Sequence, residues 1–350
     1  MKSIATKRKL LAALVGVLMI SFYLVILVTV SFQNNKFHKE LRQRWTSGQN
    51  YSNLFNTNSP LRDQESTNAM NSSKVSKDDR ERRLPQCLII GFSKCGTTAL
   101  RAFLSLHPLI VSPLREIRYF TLRYQNGLDW YRNQMPLSTA DQVTVEKSAG
   151  YITSLESLER IHRMNATLKL VVMVRDPITR LQSEYARCVS TVNVTSTHVP
   201  TFKSWCGGLS SPNVLRLVDY ATPLSTVYSL FSKEQVLVLS EELLEEKPLD
   251  VLGEVEAFLG LKPGFSKTDL AYNEEKGFYC FNTSSPRYPQ VKTNLVLNER
   301  TGCFGSHKGR AHPEIGDKFL QQLVSAIQPY NQRLFRLIGK TFSWAHFNHK

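Results

Sequence analysis

The chain has 350 residues, with 44 lysines and arginines against 29 aspartates and glutamates, a formal net charge of +15. So basic a balance suits an acidic partner (an anionic glycan, a phosphate-bearing small molecule or an acidic protein), unless the excess only aids solubility. The six cysteines form no CxxC pair and no Cys/His cluster of zinc spacing, so the sequence carries no zinc motif.

In chain order, Lys2, Lys7, Arg8 and Lys9 precede an uncharged apolar segment, residues 10–32, long enough to cross a bilayer. No small-residue cleavage signature ends it. The basic side faces the cytoplasm, so residues 1–9 are expected as a cytoplasmic tail, 10–32 as an uncleaved transmembrane signal-anchor of a type II protein, and the rest as luminal. A luminal setting removes nucleic acid from the list of partners. Residues 33–83, rich in Asn, Ser, Gln and charge without a sustained period, read as a stem. Glycosylation sequons at Asn50, Asn71, Asn165, Asn193 and Asn282 fit luminal exposure. Cys87 and Cys95 read as buried or confined thiols. Cys188 with Cys206, and Cys280 with Cys303, are local pairs open to disulfide formation, and spacing does not fix the connectivity.

Residues 84–350 can bury one sizeable core. Buried-type strands are expected at Cys87–Ile90, Val143–Val145, Leu170–Val174 and Val236–Leu239, separated by helical stretches. That alternation reads as a single α/β domain with a central, mainly parallel sheet, right-handed crossovers and a ligand site at the strand C-terminal ends. Residues 314–338 read as two helices broken at Pro329.

Three stretches carry chemistry. In QCLIIGFSKCGTTAL, residues 86–100, an apolar strand stops at Gly91, a loop with Lys94, Gly96, Thr97 and Thr98 follows, and a helix begins. Such a loop aims backbone amides and the positive end of a helix dipole at one point, where phosphate binds. It differs from the ATPase loop, because Lys94 precedes Gly96 instead of following the last glycine. The alternative is a tight connection without a ligand. In VVMVRDPITRLQSEYAR, residues 171–187, Asp176 suits an N-cap and Pro177 a first helical turn. Arg175 then stands at a strand tip and Ser183 about two turns into the helix, where together they can hold a second phosphate; the alternative for Arg175 is an ion pair with Asp176 or Glu184. In GSHKGRAHP, residues 305–313, Lys308, Gly309 and Arg310 form a basic turn that can face an anion or simply solvent.

In this order the three stretches resemble the Golgi sulfotransferases that use 3′-phosphoadenosine 5′-phosphosulfate (PAPS), and most closely the heparan sulfate glucosamine 3-O-sulfotransferases. LPQCLIIGFSKCGTTAL, GLDWYRNQMP, VTVEKSAGY, VVMVRDPITRLQSEY, KGFYC and SHKGRAHPEI all look like segments of that group, covering nearly the whole of residues 84–350. The resemblance implies a sulfotransferase fold with a P-loop-like phosphate site and metal-independent transfer of a sulfuryl group from PAPS to heparan sulfate. It places the 5′-phosphosulfate on Ser93, Lys94, Cys95, Gly96, Thr97 and Thr98, the 3′-phosphate on Arg175 and Ser183, and a closing cofactor loop at Lys308, Gly309 and Arg310. It makes Glu116 the base and puts Lys147 beside the reacting sulfate.

The residue types suit the reaction independently: one carboxylate takes the hydroxyl proton as the S–O bond forms, and cations at Lys94 and Lys147 offset charge on the equatorial and leaving oxygens. By itself, Glu116 would read as an exposed partner of Arg115 or Arg118. The chain departs from the group at Arg118, where the group carries His, at Cys95 in place of Gly, at Thr98 where Arg is frequent, and in a longer loop between Cys280 and Cys303. Arg118 is open to two roles, pairing with an acidic group of the substrate or lowering the basicity of Glu116. Rival readings are a sulfotransferase for another acceptor (N-sulfation of heparan, or O-sulfation of chondroitin or dermatan), a catalytically silent glycan-binding relative, and a luminal nucleotide kinase. The silent relative would need the basic surface but not the base. The kinase lacks a clear magnesium-binding carboxylate.

Overall fold

Apolar runs that stay apolar on both faces of a strand need cover on both sides, and the sheet supplies it. In the computed structural model, residues 79–191, 199–209, 211–304 and 311–347 are described. The 10–32 segment, the stem up to residue 78 and the sequons at Asn50, Asn71 and Asn193 lie outside them. A short strand β1 (Glu81–Arg82) pairs antiparallel with β4 (Leu137–Ser138). The main sheet joins β2 (Cys87–Gly91), β3 (Ile110–Val111), β5 (Val143–Lys147), β6 (Lys169–Val174) and β7 (Val236–Ser240) in the order β3-β5-β2-β6-β7, every neighbouring pair parallel. A hairpin of β8 (Leu270–Asn273) and β9 (Phe278–Phe281) lies apart from it.

The four expected strands are β2, β5, β6 and β7, and β3 is a two-residue edge too short to leave a pattern. Leu88, Ile89, Ile90, Val171, Val172 and Met173 are fully buried. Strand β2 lies between β5 and β6, so the chain passes to one side of β2 and later returns on the other. That reversal opens a crevice at the C-terminal end of β2, where open α/β sheets bind ligands.

Helices start where the sequence marks them. Helix α1 (Thr97–Leu104) follows the loop after β2. Helix α2 (Leu155–Met164) is capped by Ser154, whose side chain accepts from the Ser157 amide. Helix α3 (Pro177–Thr191) is capped by Asp176, whose Oδ1 accepts from the Ile178 and Thr179 amides at 2.8 and 3.2 Å. Helix α4 (Glu241–Glu246) leaves β7 directly, with Ser240 accepting from the Leu243 amide.

Two expectations fail. The C-terminal stretch is one helix, α5 (Asp317–Ile338), with Pro329 inside it and not between two helices. Leu323 and Ile327 before the proline join Ile178, Leu181 and Phe202 in a second apolar cluster, while Leu334 after it packs into the main core. Anchoring on both sides outweighs the one helical hydrogen bond that Pro329 removes. Of the two cysteine pairs, Cys280 and Cys303 are bonded, but Cys188 and Cys206 are thiols. Cys206 is packed inside the second apolar cluster, while Cys188 is half-buried beside the Arg187 guanidinium.

Gly91 ends β2 with no room to spare, since a Cβ there would overlap Ile152 Cγ2. Gly91→Ala is therefore expected to lower stability by about 1–3 kcal/mol, read as a drop in thermal midpoint. In an Ile152→Ala background, where the obstructing methyl is gone, Gly91→Ala should cost less than it does in wild type.

Candidate active site

The loop after β2 is bent by two left-handed residues, Lys94 at φ 68° and Gly96 at φ 70°. Helix α1 then begins with no side-chain cap and no acidic residue in its first turn. The amides of a first turn have no intrahelical partners, so here the loop and helix end form a concave donor surface fit for phosphate oxygens. Its backbone is strapped from outside. Arg180 Nε donates to Ser93 O at 3.0 Å and its Nη1 to Leu217 O at 2.6 Å, with the guanidinium over Phe92 and Tyr220 at 5.0 and 4.9 Å. Tyr220 donates to Arg175 O at 2.8 Å and lies 3.5 Å from Cys95 Sγ. Burial, first of all, pushes the Cys95 thiol up to about 11, so Cys95 turns an inert side chain inward and offers the loop only its backbone.

Arg175 stands at the tip of β6, its Nη1 3.5 Å from Lys94 O and its Nε 3.0 Å from Glu241 Oε2. Its acidic partner is thus Glu241, and neither Asp176 nor Glu184. Ser183 is half-buried on α3. Lys308, Gly309 and Arg310 lie outside the described residues. His312 has its pKa lowered, first by burial and then by Arg175 and Lys94, so the chain that follows residues 305–310 runs within electrostatic reach of this corner. The C-terminus closes it: Trp344 Nε1 donates to Glu242 Oε2 at 3.2 Å, and His346 Nδ1 meets Asp176 Oδ2 at 2.9 Å.

On the β5 side, Lys147 Nζ donates to Glu116 Oε1 at 2.8 Å and to Thr98 Oγ1 at 3.2 Å. One ammonium thereby joins the anion loop to a carboxylate. Arg118 Nε donates to the other oxygen, Oε2, at 3.0 Å. Burial alone would raise the Glu116 pKa, but the charges and hydrogen bonds of Lys147 and Arg118 outweigh it, and the net shift is downward. Glu116 is therefore an ionised carboxylate, within reach of the anion loop and 22% exposed.

Glu116 and Arg118 are held in place by groups the sequence did not single out. Arg118, at φ 54°, donates its amide to Ser148 Oγ at 3.0 Å. Ser148 donates to Glu146 Oε1 at 2.6 Å, and Glu146 also accepts from the Ile117 amide and the Tyr131 hydroxyl at 3.4 and 3.3 Å. A cleft of about 650 Å³ opens beside Glu116, lined by Arg82, Arg101, Arg115, Arg123 and Trp130 among others. Arg101 is buried, its Nη1 donating to Pro113 O at 3.1 Å, and burial lowers its pKa. No carboxylate of the described residues pairs with it. Among those residues, no group of three or more His, Cys, Asp or Glu side chains could hold a metal.

An anion cradle at the tip of a central parallel strand, with a lysine-bridged carboxylate beside it, defines a transferase for anionic groups. Residues 84–326 match the family described as Sulfotransferase domain, and the chain belongs to it. It is 33% identical over 284 residues to heparan sulfate glucosamine 3-O-sulfotransferase 5 of Mus musculus, covering 78% of both chains. It is 34% identical over 265 residues to heparan sulfate glucosamine 3-O-sulfotransferase 6 of Homo sapiens, covering 75% of this chain and 74% of that one. The crystal structure of a sulfotransferase from Alicyclobacillus acidocaldarius shares the fold, with a TM-score of 0.54 at 19% identity over 74% of this chain and 98% of that one.

Arg180, Glu146 and Glu241 were among the side chains absent from the reading of the sequence. Arg180 was within reach, since it lies on α3 one turn before Ser183, and so was Glu146, next to Lys147. Glu241 offered no signal, because an acidic first residue is ordinary in a helix. Burial pushes Glu146 up to about 7, against hydrogen bonds that pull it down. Because the folded protein holds this proton more tightly than the unfolded chain, the stability it lends is complete below the ordinary carboxylate range and is lost as pH rises through about 7. The thermal midpoint of wild type should fall relative to that of Glu146→Gln between about pH 5 and about pH 8. Parallel curves would contradict this.

Proposed function

We propose that the chain transfers a sulfuryl group from PAPS to the 3-hydroxyl of glucosamine in heparan sulfate, with Glu116 as general base. The observation that carries the reading is the Lys147 ammonium shared by Glu116 and Thr98, since it brings a base and an anion-binding loop to within one side chain of each other. When bound, PAPS supplies an activated sulfuryl group on a phosphate leaving group.

The protein does the rest. Amides of the loop from Ser93 to Thr98 hold the 5′ side of the donor, with Lys94 offsetting charge on the departing oxygen. Arg175 and Ser183 take the 3′-phosphate, and Lys308, Gly309 and Arg310 close over the nucleotide. Glu116 accepts the proton of the attacking hydroxyl, and Lys147 faces the charge that builds on the transferred group. The depressed pKa of Glu116 keeps it unprotonated and ready, at some cost in basicity. Arg118, paired to Glu116, contributes to that depression and lies near enough to meet an acidic group of the acceptor. The arginines of the adjoining cleft suit the sulfates and carboxylates of a heparan chain. The desolvated Arg101 gains the most from an anion entering that cleft, because no carboxylate among the described residues pairs with it.

Residues 10–32 anchor the protein in the Golgi membrane as a single-pass type II protein, with residues 1–9 cytoplasmic, 33–83 a stem and 84–350 the luminal sulfotransferase domain. Luminal placement makes the sequons available to glycosylation. Asn165 is exposed at the end of α2, whereas the Asn282 amide nitrogen donates to Thr268 O at 2.8 Å.

The test is transfer of labelled sulfate from PAPS by the full-length chain onto heparan sulfate, de-N-sulfated heparan and chondroitin in parallel, with disaccharide analysis of the product. Label is expected at the glucosamine 3-hydroxyl of heparan sulfate. Glu116→Gln should lower the turnover number by about 10²–10⁴-fold while leaving the affinity for 3′-phosphoadenosine 5′-phosphate (PAP) within a few-fold of wild type. Label on nitrogen, or in chondroitin alone, would rule out the acceptor. An active Glu116→Gln enzyme would rule out the base.

A further inference from the structure

One carboxylate at the donor corner has no part in this chemistry. Glu241 opens α4 at the C-terminal end of β7 and leans over the anion loop: its Cγ, Cδ and Oε1 lie 3.0, 3.2 and 3.3 Å from where a Cβ on Gly96 would stand. Its Oε2 lies 3.0 Å from Arg175 Nε, yet that oxygen is buried and out of line for a hydrogen bond, and among the described residues it has no hydrogen-bond partner. The neighbouring Glu242 is fully engaged, accepting from the Asp176 amide at 2.7 Å, from Ser240 Oγ at 2.5 Å and from Trp344. Among the described residues, Glu241 by contrast makes only an ion pair, and with the cation assigned above to the 3′-phosphate.

A carboxylate and a phosphate cannot both be charged beside one guanidinium in a site shielded from water, since like charges at such range strongly disfavour the doubly ionised state. We propose that Glu241 is an internal competitor for Arg175: when ionised it occupies the guanidinium, and a nucleotide phosphate takes its place only as Glu241 takes up one proton from solvent. Apart from the carboxyl O–H formed with that proton, no covalent bond changes. The inference rests on the reading of Arg175 as a phosphate ligand, and it makes Glu241 the residue that weakens donor binding as pH rises.

The charged and titratable groups around Glu241 fix the pH range. Arg175 from β6 and Lys94 from the loop favour its ionised form, Glu242 and Glu245 on its own helix oppose it, and the buried Cys95 thiol faces it from the loop. His312 faces the same two cations. Burial is the largest influence and pushes Glu241 up to about 8. A bound phosphate raises it further. Below about pH 7 the carboxyl is already neutral and adds no pH dependence to binding. Above about 8 the ligand-free protein must gain a proton to bind, so affinity falls with rising pH, approaching tenfold per pH unit.

The experiment is calorimetric titration of the full-length chain with PAP between about pH 7.5 and about pH 9.5, in paired buffers of different ionisation heat, for wild type and Glu241→Gln. Wild type is expected to take up close to one proton at about pH 9 and to weaken steadily with pH. Glu241→Gln should bind without that uptake and at about pH 9 several-fold more tightly than wild type. Wild-type binding with no proton uptake at about pH 9 would overturn the proposal even if the variant did not fold. So would a variant whose affinity changes with pH as wild type does. If wild-type protein bound no PAP at any pH, the donor site itself would fall and this inference with it, an outcome distinct from binding that ignores Glu241.

Discussion

A single ammonium group holds the corner between Glu116 and the anion loop together. Lys147 leaves the last position of β5, where it sits opposite Ile89 of β2, and its Nζ reaches both Glu116 and Thr98. The parallel register therefore brings together residues from three separate stretches of chain: the loop after β2, the turn that carries Glu116, and β5 itself. If the pairing of β2 and β5 slipped by one residue, Lys147 would point to the opposite face of the sheet. The bridge would then be lost, however well the remaining core packed.

Three carboxylates around this corner show how environment sorts one functional group into different states. Glu116 is partly exposed and flanked by two cations, so it stays ionised. Glu146 is buried among neutral donors and is pushed up to about 7. Glu241 is buried beside a cation and other acids and is pushed up to about 8. Only the first combines a negative charge with access to the cleft, which a proton acceptor requires. The second serves by its hydrogen bonds, fixing the backbone of Ile117 and, through Ser148, of Arg118.

What could be read from the sequence followed local rules. Four strands were visible because both their faces are covered, which leaves unbroken apolar runs, and the anion loop was visible because its glycine, threonines and lysine stand between a strand and a helix. The start of α3 at Asp176 and Pro177 was equally local. What escaped depended on distant partners. The strand β5 runs on through Glu146 and Lys147, which look like an exit from the sheet until Ser148, Tyr131 and Glu116 are brought against them. Pro329 reads as a break because the packing that carries α5 past it comes from residues far away in the chain. Cys188 and Cys206 are near each other in sequence, but Cys206 belongs to an apolar cluster that excludes its partner.

The contacts of Trp344 and His346 with Glu242 and Asp176 bear on how the molecule is made. A chain emerging from the ribosome can pair β2 with β5 and β6, and β6 with β7, long before residues 344–346 are synthesised, and with those strands it can form the anion loop and the Lys147 bridge. Asp176 and Glu242 gain their last partners only once residues 344–346 have left the ribosomal tunnel. The Glu116 side of the corner can thus form during synthesis before the Arg175 side gains its last contacts. A nascent chain stalled before residues 344–346 emerge would hold its sheet and the Lys147 bridge while the Arg175 side still lacked those contacts.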